Sequence, residues 1–250
     1  MPAIRFDNVS KSFQSGADRR LLRTHFSEWF GRKGGNGERF HALRDVSFGV
    51  AQGESVAVIG SNGAGKSTLL SLVSGITEPD CGEVTVGGRV AALLELGSGF
   101  HPDLTGEENL WINASLMGLS RLETGRLHDR IVEFSGIGPF IGEPLRTYSS
   151  GMIMRLAFAV AIHVDPDVLL IDEVFAVGDQ EFQAKCLDRM LAFRRAGKTM
   201  LSVSHAPETL CRMCDRGLWL DHGRLRMEGP IGEVLAAYES SLELPAGAGG

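Results

Sequence analysis

A chain of 250 residues with 43% hydrophobic content can bury an ordinary core as one large domain or two small ones, which excludes a disordered protein. Its formal net charge of -6 argues against a general nucleic-acid binder, because neutralising a phosphate backbone calls for a basic face. The start, MPAIRFDNVS, carries Arg5 and Asp7 and lacks the apolar stretch of a secretory signal; with no run of about eighteen apolar residues anywhere, a cytoplasmic chain without a membrane span is expected.

Ile4 to Val9 alternates apolar and polar residues and predicts a strand, ending in the turn-prone Ser10 and Lys11 before the aromatic Phe13. From 14 to 39 the pattern breaks. Arg19, Arg20, Arg23, Arg32, Lys33 and Arg39 outnumber Asp18, Glu28 and Glu38, so this is a basic insertion in an acidic chain. Within it Leu22, Phe26, Trp29 and Phe30 fall on one face of a short helix that GRKGGNG terminates. That face suits a membrane surface or a membrane partner equally with packing on its own domain. Strand pattern resumes from Phe40 to Val50, giving a β-rich N-terminal layer.

Ser55 to Gly60, SVAVIG, is short, apolar and β-branched, as a buried parallel strand should be; TLLSLVSG, from Thr68, has helical spacing. Between them lies GSNGAGKST: Gly60, Ser61, Asn62, Gly63, Ala64, Gly65, Lys66, Ser67 and Thr68. Strand, glycine loop and helix in that order make a phosphate cradle. The glycines let successive N–H groups converge on anionic oxygens at the positive end of the helix. Lys66 adds a full charge for the β- and γ-phosphates, and the Ser67 hydroxyl suits Mg2+. A polyphosphate accompanied by Mg2+ is therefore the expected ligand.

Further along, Glu78, Pro79, Asp80 and Gly82 mark a turn, and Glu83 to Leu94 is read as two hairpin strands around Gly87 and Gly88. Thr105 with Glu108 and Ser120 with Glu123 have capping-box spacing and predict helices that stop near Gly118 and Gly136. The next helix, from about Gly151, is apolar on more than one side and is expected to be buried until Asp165, Pro166 and Asp167 end it. Val168 to Ile171 is a continuous apolar strand delivering Asp172 and Glu173 to its C-terminal end, where ligands sit in open α/β sheets. Two adjacent carboxylates there require partners, and a Mg2+–nucleotide supplies one: Asp172 for the metal shell, Glu173 as general base for the attacking water. A strand from Thr199 to Val203 leads to Ser204 and His205. Gly217 to Met227 reads as a hairpin turning at Asp221, His222 and Gly223, and Pro230 opens a last helix ending near Ser240. The four cysteines, Cys81, Cys186, Cys211 and Cys214, are too scattered for a disulfide framework, and the lone C-x-x-C at Cys211 and Cys214 points to helix packing.

In this order, the phosphate loop, the LLIDE strand ending at Glu173, His205 and the helical insertion resemble an ABC-type ATPase over nearly the whole chain. The discriminating stretch is TYSSGMIMRLAFAVA, Thr147 to Ala161, in the place of that family's L-S-G-G-Q signature, here Tyr148, Ser149, Ser150, Gly151 and Met152. With ELGSGFHPDLTGEENL at Glu95 to Leu110, it looks like the ATPase subunits of exporters for lipid-linked polysaccharides such as O-antigen, teichoic acid and capsule.

The resemblance implies an α/β P-loop NTPase core with an N-terminal antiparallel β layer and a helical subdomain over 105–163. One ATP-binding domain would span 1–240 and a flexible tail 241–250. It further implies a homodimer in which one copy's loop and the other's Ser149, Ser150 and Gly151 enclose ATP. Catalysis would fall to Glu173 and His205, the latter on the γ-phosphate; Asp179 would link the two sites, and Phe13, with Phe40 or His41 as competitors, would stack on adenine. Glu95 lies nearest to the family's usual metal-shell glutamine. The implied setting is the cytoplasmic side of the cell membrane, peripheral, with a polytopic permease, a lipid-pyrophosphate-linked glycan at the membrane face and no nucleic acid. Because the chain stops soon after Tyr238, the long C-terminal carbohydrate-binding domain of some relatives is expected to be absent. The competing reading is a soluble ABC ATPase acting on ribosomes or DNA, which usually carries two cassettes or a long coiled coil. A P-loop kinase or GTPase would leave Thr147 to Ala161 without a purpose.

Overall fold

The computed structural model describes residues 2–14, 39–93, 97–172, 179–204 and 206–243. The strands are β1 (Ile4–Gln14), β2 (Arg39–Val50), β3 (Ser55–Ile59), β4 (Cys81–Val86), β5 (Val90–Ala92), β6 (Val168–Asp172), β7 (Thr199–Val203), β8 (Arg216–Asp221) and β9 (Arg224–Pro230). The helices are α1 (Lys66–Val73), α2 (Gly106–Leu116), α3 (Arg121–Ser135), α4 (Ser150–His163), α5 (Gln180–Arg195), α6 (Pro207–Met213) and α7 (Ile231–Glu243). They form a three-stranded antiparallel sheet, β2-β1-β4, and a six-stranded sheet, β5-β6-β7-β3-β8-β9, parallel except for β9.

Alternation along the buried strands assigns each face of the six-stranded sheet to a different core. Val56, Val58, Leu201 and Val203 join Leu69, Leu70 and Val73 of α1 and the inner face of the three-stranded sheet. Ala57, Ile59 and Met200 face the other way, toward Phe158, Ala161 and Ile162 of α4 and the helices α5 to α7. A third cluster unites α2, α3 and α4 through Leu110, Ile131, Leu156 and Val160. Helix α4 thus serves two cores, which is why its sequence is apolar on more than one side. Phe158, 2% exposed, has ring centroids 6.3 Å from Phe134 and 5.8 Å from Phe182. Phe158→Ala is expected to cost about 3–5 kcal/mol in urea unfolding, the range for emptying a buried aromatic site; a loss below about 1 kcal/mol would refute that packing account.

Both capping boxes form as the spacing predicts. Thr105 accepts from the Glu108 N–H and Ser120 from the Glu123 N–H, each glutamate returning the bond to its cap, and Gly136 closes α3 at φ 67°. The β8–β9 hairpin turns on His222 and Gly223 at φ 46° and 77°, both positive as a two-residue primed turn requires.

The structure differs from the sequence expectations at four places. β1 does not stop at Ser10 but continues to Gln14, its register against β2 shifting between Phe6 and Val9, again before Lys11 and again before Ser12. The expected hairpin within Glu83 to Leu94 does not form: β4 pairs with β1 and β5 pairs in parallel with β6, so the chain crosses from one sheet to the other. At the crossing Gly88 adopts φ 84° and Asp167 accepts from the Arg89 N–H at 2.8 Å. Period-two alternation marks a strand without naming its neighbour. α5 forms where the sequence pattern names no element, and α7 runs to Glu243, beyond the expected end near Ser240.

Gln14 and Arg39 are register partners, so the intervening insertion leaves and re-enters at one point of the β1–β2 ribbon. The amphipathic helix expected there lies outside the described residues, as does the tail beyond Glu243. Among the described residues no helix is long and apolar enough to cross a membrane.

Candidate functional site

The strand order places three C-terminal strand ends in a row. Val58 of β3 pairs with Val203 of β7, which pairs with Asp172 of β6. Two inter-strand spacings therefore separate the Asp172 backbone from the β3 end, about 10 Å. The glycine loop leaves β3 at Gly60 and enters α1 through Gly65, so Asp172 stands across β7 from the loop. Glu173 and His205 follow the ends of β6 and β7 in sequence, and both lie outside the described residues; so does Glu95.

The loop is shaped by close backbone approaches. Gly60, Gly63 and Gly65 all have positive φ, at 153°, 81° and 108°. A Cβ on Gly60 would overlap the Leu220 carbonyl oxygen, and one on Gly65 would come within 2.5 Å of that of Ala42. At Gly63 a Cβ would meet nothing within 4 Å, so the loop's tip faces open space while its two ends are pressed against β8 and β2. The β8–β9 turn supports it from outside the motif: the Gly223 N–H donates to the Ala64 carbonyl at 3.0 Å, and the Arg44 N–H to that of Gly223 at 2.8 Å. Sequence reading missed this support; the usable signal was a primed turn with Gly at its second position.

α1 differs from the helices α2 to α5. Each of those has a side-chain cap at its N-terminus, whereas Gly65 caps α1 with no side-chain hydrogen bond and no acidic residue follows in the first turn. The first-turn N–H groups and the dipole thus face the open side of the loop, the arrangement an anionic phosphate satisfies. Lys66 is 8% exposed, and its Nζ donates to the Gly60 and Ser61 carbonyls at 2.7 and 3.0 Å. The Ser67 side chain is exposed. The donor set fits a polyphosphate, with hydroxyl and carboxylate oxygens at Ser67 and Asp172 fitting the hard cation that travels with it.

A second pocket gathers Ser149, Ser150, Gly151, Met152, Arg155 and Asp179. Ser149 caps α4 by accepting from the Met152 N–H at 3.2 Å, and Asp179 caps α5 by accepting from the Phe182 N–H at 2.9 Å. That backbone bond, with the Arg155 guanidinium 2.7 Å away, holds the Asp179 carboxyl below the usual carboxylate range against partial desolvation. Arg155, which sequence reading passed over, also lies 5.0 Å from the Phe182 ring centroid, so it ties the N-terminal end of α5 to the helix that Ser149 caps.

Phe13 pairs with Phe40, and Ser12 with His41, at the far end of the β1–β2 ribbon. Phe13 is half-buried and Phe40 is 54% exposed. Cys211 is exposed and Cys214 buried; burial pushes the Cys214 thiol up to about 12.

A family model described as "ABC transporter" matches residues 43–176. The chain is 47% identical to the O-antigen export system ATP-binding protein RfbB of Klebsiella pneumoniae, over 96% of this chain and 99% of that protein. It is 46% identical to an RfbB of Myxococcus xanthus over 98% of this chain but 57% of the relative. Likeness to the teichoic acids export ATP-binding protein TagH of Bacillus anthracis is 41% over 83% of this chain and 38% of that protein. In fold it is similar to the ATP-binding cassette MJ0796 in a dimeric post-hydrolysis state, at a TM-score of 0.72 and 20% identity over 91% of this chain and 98% of the other.

Proposed function

The chain belongs to the ABC transporter family, and from that premise we propose that it is the ATP-binding and ATP-hydrolysing subunit of an exporter that moves a lipid-linked polysaccharide across the cytoplasmic membrane. The observation that carries the reading is the near-complete overlap with an O-antigen export subunit: the matched stretch takes in the phosphate loop, the helical region and the C-terminal hairpin.

In this reading the loop N–H groups from Gly60 to Thr68 and the Lys66 ammonium hold the phosphates of ATP, and Phe13 stacks on adenine. Ser67 and Asp172 would hold Mg2+, with Glu95 a further candidate; the ion supplies Lewis-acid neutralisation of phosphate charge. Glu173 takes the proton of the attacking water and His205 contacts the γ-phosphate, both assignments resting on sequence. A single loop leaves one side of the γ-phosphate open to water. Ser149, Ser150 and Gly151 of a second copy close that side in a head-to-tail homodimer, with Asp179 linking the two sites. The subunit sits peripherally at the cytoplasmic face, coupled to a polytopic permease. The basic insertion 14–39 then faces the permease or the anionic lipid-pyrophosphate-linked glycan. Nucleic acid has no role.

A tagged Glu173→Gln variant, able to bind ATP but not to activate water, should be trapped in its closed dimer. Captured from detergent-solubilised membranes with ATP present, it is expected to bring down a polytopic membrane protein in comparable amount. Recovery of ribosomal or DNA-bound material without a membrane protein would instead favour the soluble ATPase.

A further inference from the structure

β4 accompanies β1 only as far as Ser10. The ladder runs from Ile4 opposite Val86 to Ser10 opposite Cys81, and the last backbone bond on that side is the Asp80 N–H donating to the Ser10 carbonyl at 2.9 Å. Among the described residues, Lys11, Ser12 and Phe13 therefore have β2 on one flank and no strand on the other, just where the β1–β2 register shifts between Lys11 and Ser12. A strand end so placed would fray.

The carboxylate of Asp80 occupies that flank. Its Oδ2 accepts from both the N–H and the hydroxyl of Ser12, each at 2.7 Å, and its Oδ1 accepts from the Lys11 ammonium at 3.1 Å. The same ammonium lies 5.6 Å from the Phe13 ring centroid. Together they border a pocket of about 290 Å3 lined in part by Phe13, Thr77 and Arg39.

We propose that Asp80 is a positioning residue for the adenine base: by pinning Ser12 and Lys11 it sets the Phe13 ring against which the base stacks. The inference rests on the nucleotide reading above and deepens it. The Ser12 hydroxyl, with the Ser12 N–H and the Lys11 ammonium behind it, holds the Asp80 carboxyl at about 2, so the clamp stays charged throughout the physiological range. Three donors on one carboxylate exceed what a single backbone contact needs, and all three come from the two residues just before the aromatic. Asp80 lies 68 residues from Ser12 in sequence and belongs to no phosphate-binding motif.

The test separates base from phosphate. Calorimetric titration of the full chain with MgATP and with magnesium tripolyphosphate, which has phosphates but no base, is compared for the wild type and Asp80→Asn. The amide keeps the size but not the charge, so ATP binding should weaken about five- to tenfold while tripolyphosphate binding is unchanged. In a Phe13→Ala background, Asp80→Asn should cause no further loss, because its effect passes through the ring. Unchanged ATP affinity, equal weakening of both ligands, or full additivity with Phe13→Ala would overturn the proposal. Should Asp80→Asn fail to fold, Ser12→Ala removes one of the three donors and should give a smaller loss confined to ATP; no loss there would overturn it equally. A wild-type chain that binds neither ligand would remove the nucleotide reading itself, whereas normal wild-type binding with an indifferent Asp80 variant removes only the role of Asp80.

Discussion

Lys66→Ala is expected to lower ATP turnover by at least about a thousandfold, the scale on which phosphoryl-transfer sites depend on a charge aimed at the transferred group. Two effects combine. The ammonium supplies the cation for the β- and γ-phosphates, and it also ties the loop through the Gly60 and Ser61 carbonyls, so its removal loosens the cradle as well as discharging it. The cores flanking the six-stranded sheet are built without it, and the variant's circular dichroism should match the wild type. Phosphate release measured on the purified chain decides the matter. Turnover within tenfold of wild type would show that this loop is not the hydrolytic site.

The second large effect is steric. Gly65→Ala places a Cβ 2.5 Å from the Ala42 carbonyl oxygen and 2.8 Å from Leu43 Cδ2, at a φ of 108° that an L side chain rarely adopts. Backbone strain of about 1–3 kcal/mol adds to the overlap, and the nearest atom overlapped is backbone that cannot swing away. We expect about 3 kcal/mol or more off the urea unfolding free energy, together with loss of ATP binding as the loop separates from β2. Gly63→Ala is the matched control. Its φ is 81°, yet its Cβ enters open space, so only the conformational cost of about 1–2 kcal/mol should remain. Equal destabilisation by the two substitutions would mean that contact with Ala42 is not what demands glycine at position 65.

The two loop positions illustrate how much of the site is readable in advance. Gly63 and Gly65 look alike in the motif, and the sequence marks both as places where a backbone must curl; only the packing of β2 against the loop makes one of them intolerant of a single methyl group. The same division runs through the signature region. Ser149 sits where a helix cap belongs, three residues ahead of the N–H it satisfies, and that is local information. The neighbouring contact of Arg155 with Asp179 spans 24 residues and depends on how α4 lies against α5.

What the chain determines by itself is therefore whatever lies within about one helical turn or one hairpin. The phosphate loop, the capping boxes at Thr105 and Ser120, the buried character of α4 and the His222–Gly223 turn all depend on neighbours only a few residues away, so type and spacing specify them. The tertiary structure alone decided which strands meet: β4 joins β1 and β5 joins β6, where the pattern predicts a hairpin, because alternation specifies which face of a strand is buried and not which strand edge it pairs with. It also decided the long-range polar contacts, Asp80 to Ser12 and Gly223 to Ala64, since a donor's need for an acceptor does not say which distant residue the fold will bring to it.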